Sequence, residues 1–124
     1  PVVTDVGSVK SKLSRHCSAA LKGRARFIGS HPMAGSEKSG MDNASADLFE
    51  DHTCFITPLE DSEPDAKDTV ISFWKDLGCH VLQERPEKHD SIVANISHLP
   101  HLLASTLANY LSTALPESVQ FCGS

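Results

Sequence analysis

The sequence lacks the features that would place it in a membrane or an oxidising compartment. No apolar run approaches the length of a bilayer span and no secretory leader is evident, so a cytoplasmic protein is expected. The four cysteines, at 17, 54, 79 and 122, show no Cys-x-x-Cys spacing. That excludes a ribbon-type zinc site and leaves them as small buried hydrophobes in a reducing compartment. Repeats, low-complexity tracts and a Gly-x-Gly-x-x-Gly turn are all missing. Positive charge is short overall: the formal net charge is −5, which opposes general binding to polyanions. Residues 1–26 carry six Lys/Arg against one Asp, but these alternate with apolar positions and no aromatics, the pattern of a solvated helix face rather than a nucleic-acid surface. Residues 42–68 hold nine Asp/Glu against Lys67.

What is present suffices for one core, with 40% hydrophobic residues in a chain of 124. Pro1–Thr4 reads as the end of a strand. From Ser8 onward Val9, Leu13, Cys17, Ala20 and Leu21 recur near helical spacing, which predicts a helix over 8–21 with Ser8 as its N-cap. A strand is expected over 25–30, a short helix near 43–49, and a strand from His52 to Thr57 closed by Pro58. Ser62-Glu63-Pro64-Asp65 resembles a capping box opening a helix. Val70, Phe73, Trp74 and Leu77 mark that helix's buried face, and Gly78 ends it. Cys79 to Gln83 is a further strand. Strands alternating with helices imply an α/β fold with a parallel or mixed sheet. From Pro86 to about Leu115 the pattern turns wholly helical, with Ile92, Val93, Ile96, Leu99, Leu103, Leu107 and Leu111 on one face, so a boundary is placed between 85 and 86.

Three segments carry chemistry. Gly29-Ser30-His31-Pro32-Met33-Ala34-Gly35-Ser36-Glu37-Lys38-Ser39-Gly40 sets a histidine, a carboxylate and small polar residues after a buried strand, in what reads as a loop, with His31 held extended by Pro32. A polar loop at the carboxyl end of a strand is where open α/β sheets bind ligands. The plain alternative is a solvated surface turn. Asp5-Val6-Gly7-Ser8 reads as a strand-to-helix turn whose free helix N–H groups suit an anion or polar ligand; equally, Ser8 could serve only as a cap. In Ser97-His98-Leu99-Pro100-His101, Pro100 bends a helix and leaves the Ile96 carbonyl without its donor, and a kink flanked by two histidines suggests a site; the plain alternative is two helix-surface histidines.

Those three segments, in this order, resemble the prephenate/arogenate dehydrogenase family of tyrosine biosynthesis. Asp47-Leu48-Phe49, Phe73-Trp74 and Leu77-Gly78 between them match as well, so the resemblance covers nearly the whole chain. It implies that residues 1–85 are the C-terminal part of a Rossmann-like NAD(P)-binding domain and 86–124 the first long helix of an all-α dimerisation domain. It also implies an internal piece of a longer enzyme, with the glycine-rich pyrophosphate turn and a substrate-binding arginine elsewhere. By resemblance, His31 is the catalytic base for the substrate hydroxyl and Ser8 orients it. Asp5, Gly7 and Ser8 lie against NAD or NADP, while Ser36, Glu37, His98 and His101 bind prephenate or arogenate. The resemblance implies a homodimer and requires no metal.

Two other classes stay open on the residues. A hydrolase with zinc held by His31, His98 and His101 is conceivable, although no His-x-x-x-His or Cys pair supports it. A truncated, non-catalytic paralogue acting as a dimerisation module would use only the long apolar helix.

Overall fold

The structure is a computed structural model and describes residues 1–35 and 40–114. It divides into two compact units, Pro1–Asp90 and Ser91–Ser124. In the first, β1 (Val2–Thr4), α1 (Ser11–Leu21), β2 (Arg26–Pro32), β3 (Thr53–Thr57), α2 (Pro64–Asp76) and β4 (His80–Gln83) precede the start of α3 (Pro86–Val93). The sheet order is β1-β2-β3-β4, with β1/β2 and β3/β4 parallel and β2/β3 antiparallel, the mixed α/β sheet that the alternation implies. The second unit holds a π-helical turn (Ala94–His98) and α4 (Leu99–Ala114).

The two faces of the sheet differ in chemistry because strand side chains alternate. Ile28, Cys54 and Ile56 face α2, where Ala66, Val70 and Trp74, spaced four apart, complete a dry core. Trp74 is 2% exposed and Phe49 meets its ring edge-on at 5.3 Å; truncating a residue so placed costs about 3–5 kcal/mol. The expected buried face of this helix is therefore corrected: Ala66 belongs to it, while Phe73 and Leu77 are 50% and 39% exposed. No capping box forms, since Ser62 Oγ accepts the Leu59 N–H and Glu63 caps without its side chain; Pro64 supplies the pre-set first helical residue instead. The helix expected near 43–49 is replaced by a 3₁₀ turn at Met41–Asn43 and further turns to Asp51.

The other face is mixed: Gly29 lies against Thr57, Ser14 and Lys10, and His31 and Phe55 lie against His89 of α3. Ser14 is the buried residue of α1, and Lys10 just before its start is buried too, whereas Val9 is 51% exposed. His31 is also corrected: it lies within β2, paired with Phe55, not in a loop. Pro32 is tolerated there because the Met33 N–H to Thr53 carbonyl bond, 2.7 Å, puts the Pro32–Cys54 pair at a non-hydrogen-bonded position of the ladder.

The expected long helix is present and carries a π-helical turn at Ala94–His98. The π turn ends two residues before Pro100, which has no N–H to return to the preceding turn, and the backbone widens there instead of merely bending.

At Gly29 the sheet lies close against Ser14 of α1. A Cβ there would fall 2.6 Å from Ser14 Oγ and 2.5 Å from Thr57 Oγ1, both buried. Gly29→Ala in the full-length protein should therefore lower stability by about 1–3 kcal/mol, as overpacking does. An unchanged urea midpoint would show that α1 yields freely at this point.

Candidate active site

The turn after β1 is fastened to β2 by one carboxylate and one buried ammonium. Asp5 Oδ2 accepts the Gly7 N–H at 2.9 Å and pairs with Lys10 Nζ, while Oδ1 accepts the Ser30 N–H at 3.2 Å. Lys10 is fully buried and its Nζ also donates to the Ser30 carbonyl at 2.8 Å. The Ser30 hydroxyl donates to the Asp5 carbonyl. A buried cation persists only when paired and hydrogen-bonded, and Lys10 is both. The result fixes the residue immediately before His31.

Ser8 does not cap α1. It is exposed, and the helix begins at Ser11 with no side-chain cap from its N-terminal residue. The cap comes from Asp90, eighty residues away, whose Oδ1 accepts the Lys10 N–H at 2.8 Å and Oδ2 the Ser11 N–H at 2.9 Å. The expectation of free N–H groups at this helix end is thus corrected: the chain's own carboxylate takes the anion's place.

Asp90 also receives a histidine. His89 Nδ1 lies 2.9 Å from Asp90 Oδ1, and His89 Nε2 lies 2.9 Å from His31 Nδ1. The His89 ring is fully buried, meeting His31 and Phe55 edge-on with centroids 5.1 Å away in each case. His31 is 8% exposed. Burial pushes the Asp90 carboxyl up, but the N–H groups of Lys10 and Ser11 and the His89 ring outweigh it and hold the group below the usual carboxylate range. The chain Asp90–His89–His31 thus ends at the carboxyl end of β2 on an imidazole, the side chain suited to exchange a proton near neutral pH. Burial pushes the Cys54 thiol up to about 12, so it is no nucleophile there.

The other expected site residues are distributed as follows. Asp5, Gly7 and Ser8 stand in the turn after β1, with the Asp5 carboxylate taken by intrachain donors. Ser36 and Glu37 lie outside the described residues. His98, in the π turn, and His101, in the first turn of α4, are exposed residues of the second unit. Among the described residues no group of three or more His, Cys, Asp or Glu side chains could hold a metal ion. His89 was missed. Its signal was present, since it stands four residues before the buried Val93, and a histidine followed by an aspartate on a buried helical face requires a partner.

Residues 1–83 match the family model for the prephenate dehydrogenase nucleotide-binding domain, and residues 85–124 that for the prephenate dehydrogenase dimerization domain. A prephenate dehydrogenase of Bacillus subtilis is 37% identical over 108 residues, covering 87% of this chain and 29% of that protein. The solved prephenate dehydrogenase of Aquifex aeolicus in complex with hydroxyphenyl propionate and NAD+ superposes with a TM-score of 0.82 at 38% identity, covering 89% of this chain and 38% of the other. The arogenate dehydrogenase of Synechocystis superposes with a TM-score of 0.79 at 32% identity, covering 99% and 45%. The chain thus spans less than half the length of each of these relatives.

The Asp90 carboxylate makes the domain acid-sensitive. Its native pKa lies below the unfolded value of about 3.9, so its contribution is complete above that value and is lost as pH falls through the lowered one. Asp90→Asn should be less stable at neutral pH and should lose stability less steeply between about pH 5 and pH 3. Parallel slopes for the variant and the parent in urea titrations across that range would contradict the assignment.

Proposed function

The chain belongs to the prephenate dehydrogenase family, and on that premise we propose that the full-length protein oxidatively decarboxylates prephenate to 4-hydroxyphenylpyruvate with NAD or NADP, His31 taking the hydroxyl proton. The observation that carries this reading is the buried His31–His89–Asp90 chain at the carboxyl end of β2, where open α/β sheets place their ligands. When bound, the oxidised nicotinamide supplies the acceptor for the hydride leaving the hydroxyl-bearing carbon. The chain's own part is to orient the hydroxyl and accept its proton on the His31 ring as that carbon becomes carbonyl-like. The ring carboxylate then departs as carbon dioxide, its bonding electrons completing the aromatic ring while the carbonyl oxygen takes the proton back from His31.

The turn after β1 fits a nicotinamide better than a phosphate. The Lys10 and Ser11 N–H groups at its helix end are taken by Asp90, whereas Val6 and Val9, 63% and 51% exposed, and Ser8 offer apolar surface and a hydroxyl. We assign Gly7 and Ser8 to that contact, with Asp5 holding the turn's shape. Ser8 is the second catalytic group, orienting the hydroxyl. Ser36 and Glu37 are assigned to the substrate by resemblance, as are His98 and, ahead of it, His101. A homodimer is supported by the match to a dimerization domain and by the exposed Leu99, Leu102, Leu103, Leu107 and Tyr110 of α4. Free thiols at Cys17, Cys54 and Cys79 fit a reducing cytoplasm.

The likeness to the Synechocystis arogenate dehydrogenase favours one second reading, in which the substrate is arogenate. The two differ at the side-chain keto or amino group, so kcat/KM measured for each decides between them.

In the full-length enzyme, His31→Asn should reduce kcat by roughly 10²–10⁴-fold with KM little changed. Activity of the parent should fall as pH drops below the histidine range, because a protonated His31 accepts nothing, and that limb should vanish in the variant. His98→Ala and His101→Ala should keep the limb. A His31→Asn enzyme with normal kcat or an unaltered limb would overturn the assignment.

A further inference from the structure

We infer that His89 is a positioning residue that locks the tautomer of His31, with Asp90 as its anchor. The inference rests on His31 being the proton acceptor and goes on to say which of its ring nitrogens accepts. An ionised carboxylate only accepts hydrogen bonds, and Asp90 is held ionised by the Lys10 and Ser11 N–H groups. The bond of 2.9 Å between Asp90 Oδ1 and His89 Nδ1 therefore takes its proton from His89. In the neutral ring one nitrogen donates and the other accepts, so His89 Nε2 is the acceptor. Across the next 2.9 Å, His31 Nδ1 must be the donor. A neutral His31 that carries its proton on Nδ1 has its lone pair on Nε2, and that is the nitrogen that takes the substrate proton.

Burial holds His89 in this arrangement. His89 is fully buried between the His31 and Phe55 rings, so it has no water to turn towards. Among the described residues, His89 meets His31 from β2, the uncharged Phe55 from β3 and Asp90 from α3, while the Lys10 ammonium is spent on Asp5 and the Ser30 carbonyl. His89 also steadies the imidazolium that forms on proton transfer, because the protonated His31 still donates from Nδ1 to an acceptor. Its removal should therefore lower the pKa of His31 and move the acid limb of the rate profile to lower pH.

The test uses the full-length enzyme with prephenate and NAD+ in a double-mutant cycle. His89→Leu removes the acceptor and should cost about 10–100-fold in kcat, the usual effect of losing a partner that orients a functional histidine. KM should change little and the acid limb should shift downward. His89→Gln, whose amide oxygen can accept the hydrogen bond from His31 Nδ1–H, should recover most of the rate. Adding His89→Leu to His31→Asn should cost nothing further, because the residue acts through His31. Wild-type kcat and limb in His89→Leu, or an equal loss in the His31→Asn background, would overturn the inference. Normal kcat in His31→Asn would instead remove the reading beneath it. Should the leucine variant fail to fold, ¹⁵N shifts of the parent's imidazoles at pH 8 decide: His31 protonated on Nδ1 is expected, and protonation on Nε2 refutes the proposal.

Discussion

The Asp90 carboxylate joins three parts of the domain that have no sequence proximity. One oxygen receives the Lys10 N–H and the His89 ring, and the other receives the Ser11 N–H. The same negative charge thus starts α1, complements that helix's dipole and orients the histidine pair. α1 in turn carries Lys10 and Ser14 onto the polar face of the sheet. Lys10 then ties the turn after β1 to Ser30, the neighbour of His31. Without the carboxylate the start of α1 would lack its cap and His89 its anchor, and the Lys10–Asp5 pair would lose the geometry that makes its burial tolerable.

This arrangement explains why one sheet has two unlike faces. The face under α2 is a conventional apolar core of Ile28, Cys54, Ile56, Val70 and Trp74, and it supplies stability. The face under α1 buries Lys10, Ser14, His31, Thr57 and His89, each a residue that costs free energy when its polar atoms lack partners. Ser14 Oγ and Thr57 Oγ1 have no hydrogen-bond partner among the described residues, and they flank Gly29. A domain selected for stability alone would fill that side with aliphatic groups. The polar face makes sense as the support of a site at the strand ends, stabilised by the apolar core on the other side.

Much of this was legible in the chain. Apart from the helix expected near 43–49, the strand and helix order followed from periodicity and from Gly and Pro punctuation, and α2 is where its pattern places it. His31 stood out by residue type, although it closes a strand instead of lying in a loop. Only the ladder's register shows that Pro32 sits at a position needing no N–H, and register is a pairing between distant segments. The start of α1 was misjudged for a related reason. A local reading gives the cap to Ser8, the nearest hydroxyl, whereas the fold gives it to Asp90 across eighty residues. His89 escaped because a polar residue one turn before the apolar stripe carries no hydropathy signal, although it shares the buried side of the helix with Val93. Pro100 was correctly read as a disturbance, but whether a helix kinks or widens depends on backbone adjustment that residue types do not encode.

The central claim is that His31 meets the reacting hydroxyl, and the crystal structure of the full-length protein with NAD+ and a phenolic product analogue tests it most directly. The account predicts the analogue's hydroxyl within about 3 Å of His31 Nε2, hydrogen-bond reach for a general base. A hydroxyl held by other groups, with His31 still bonded to His89 but turned away from the ligand, would contradict it.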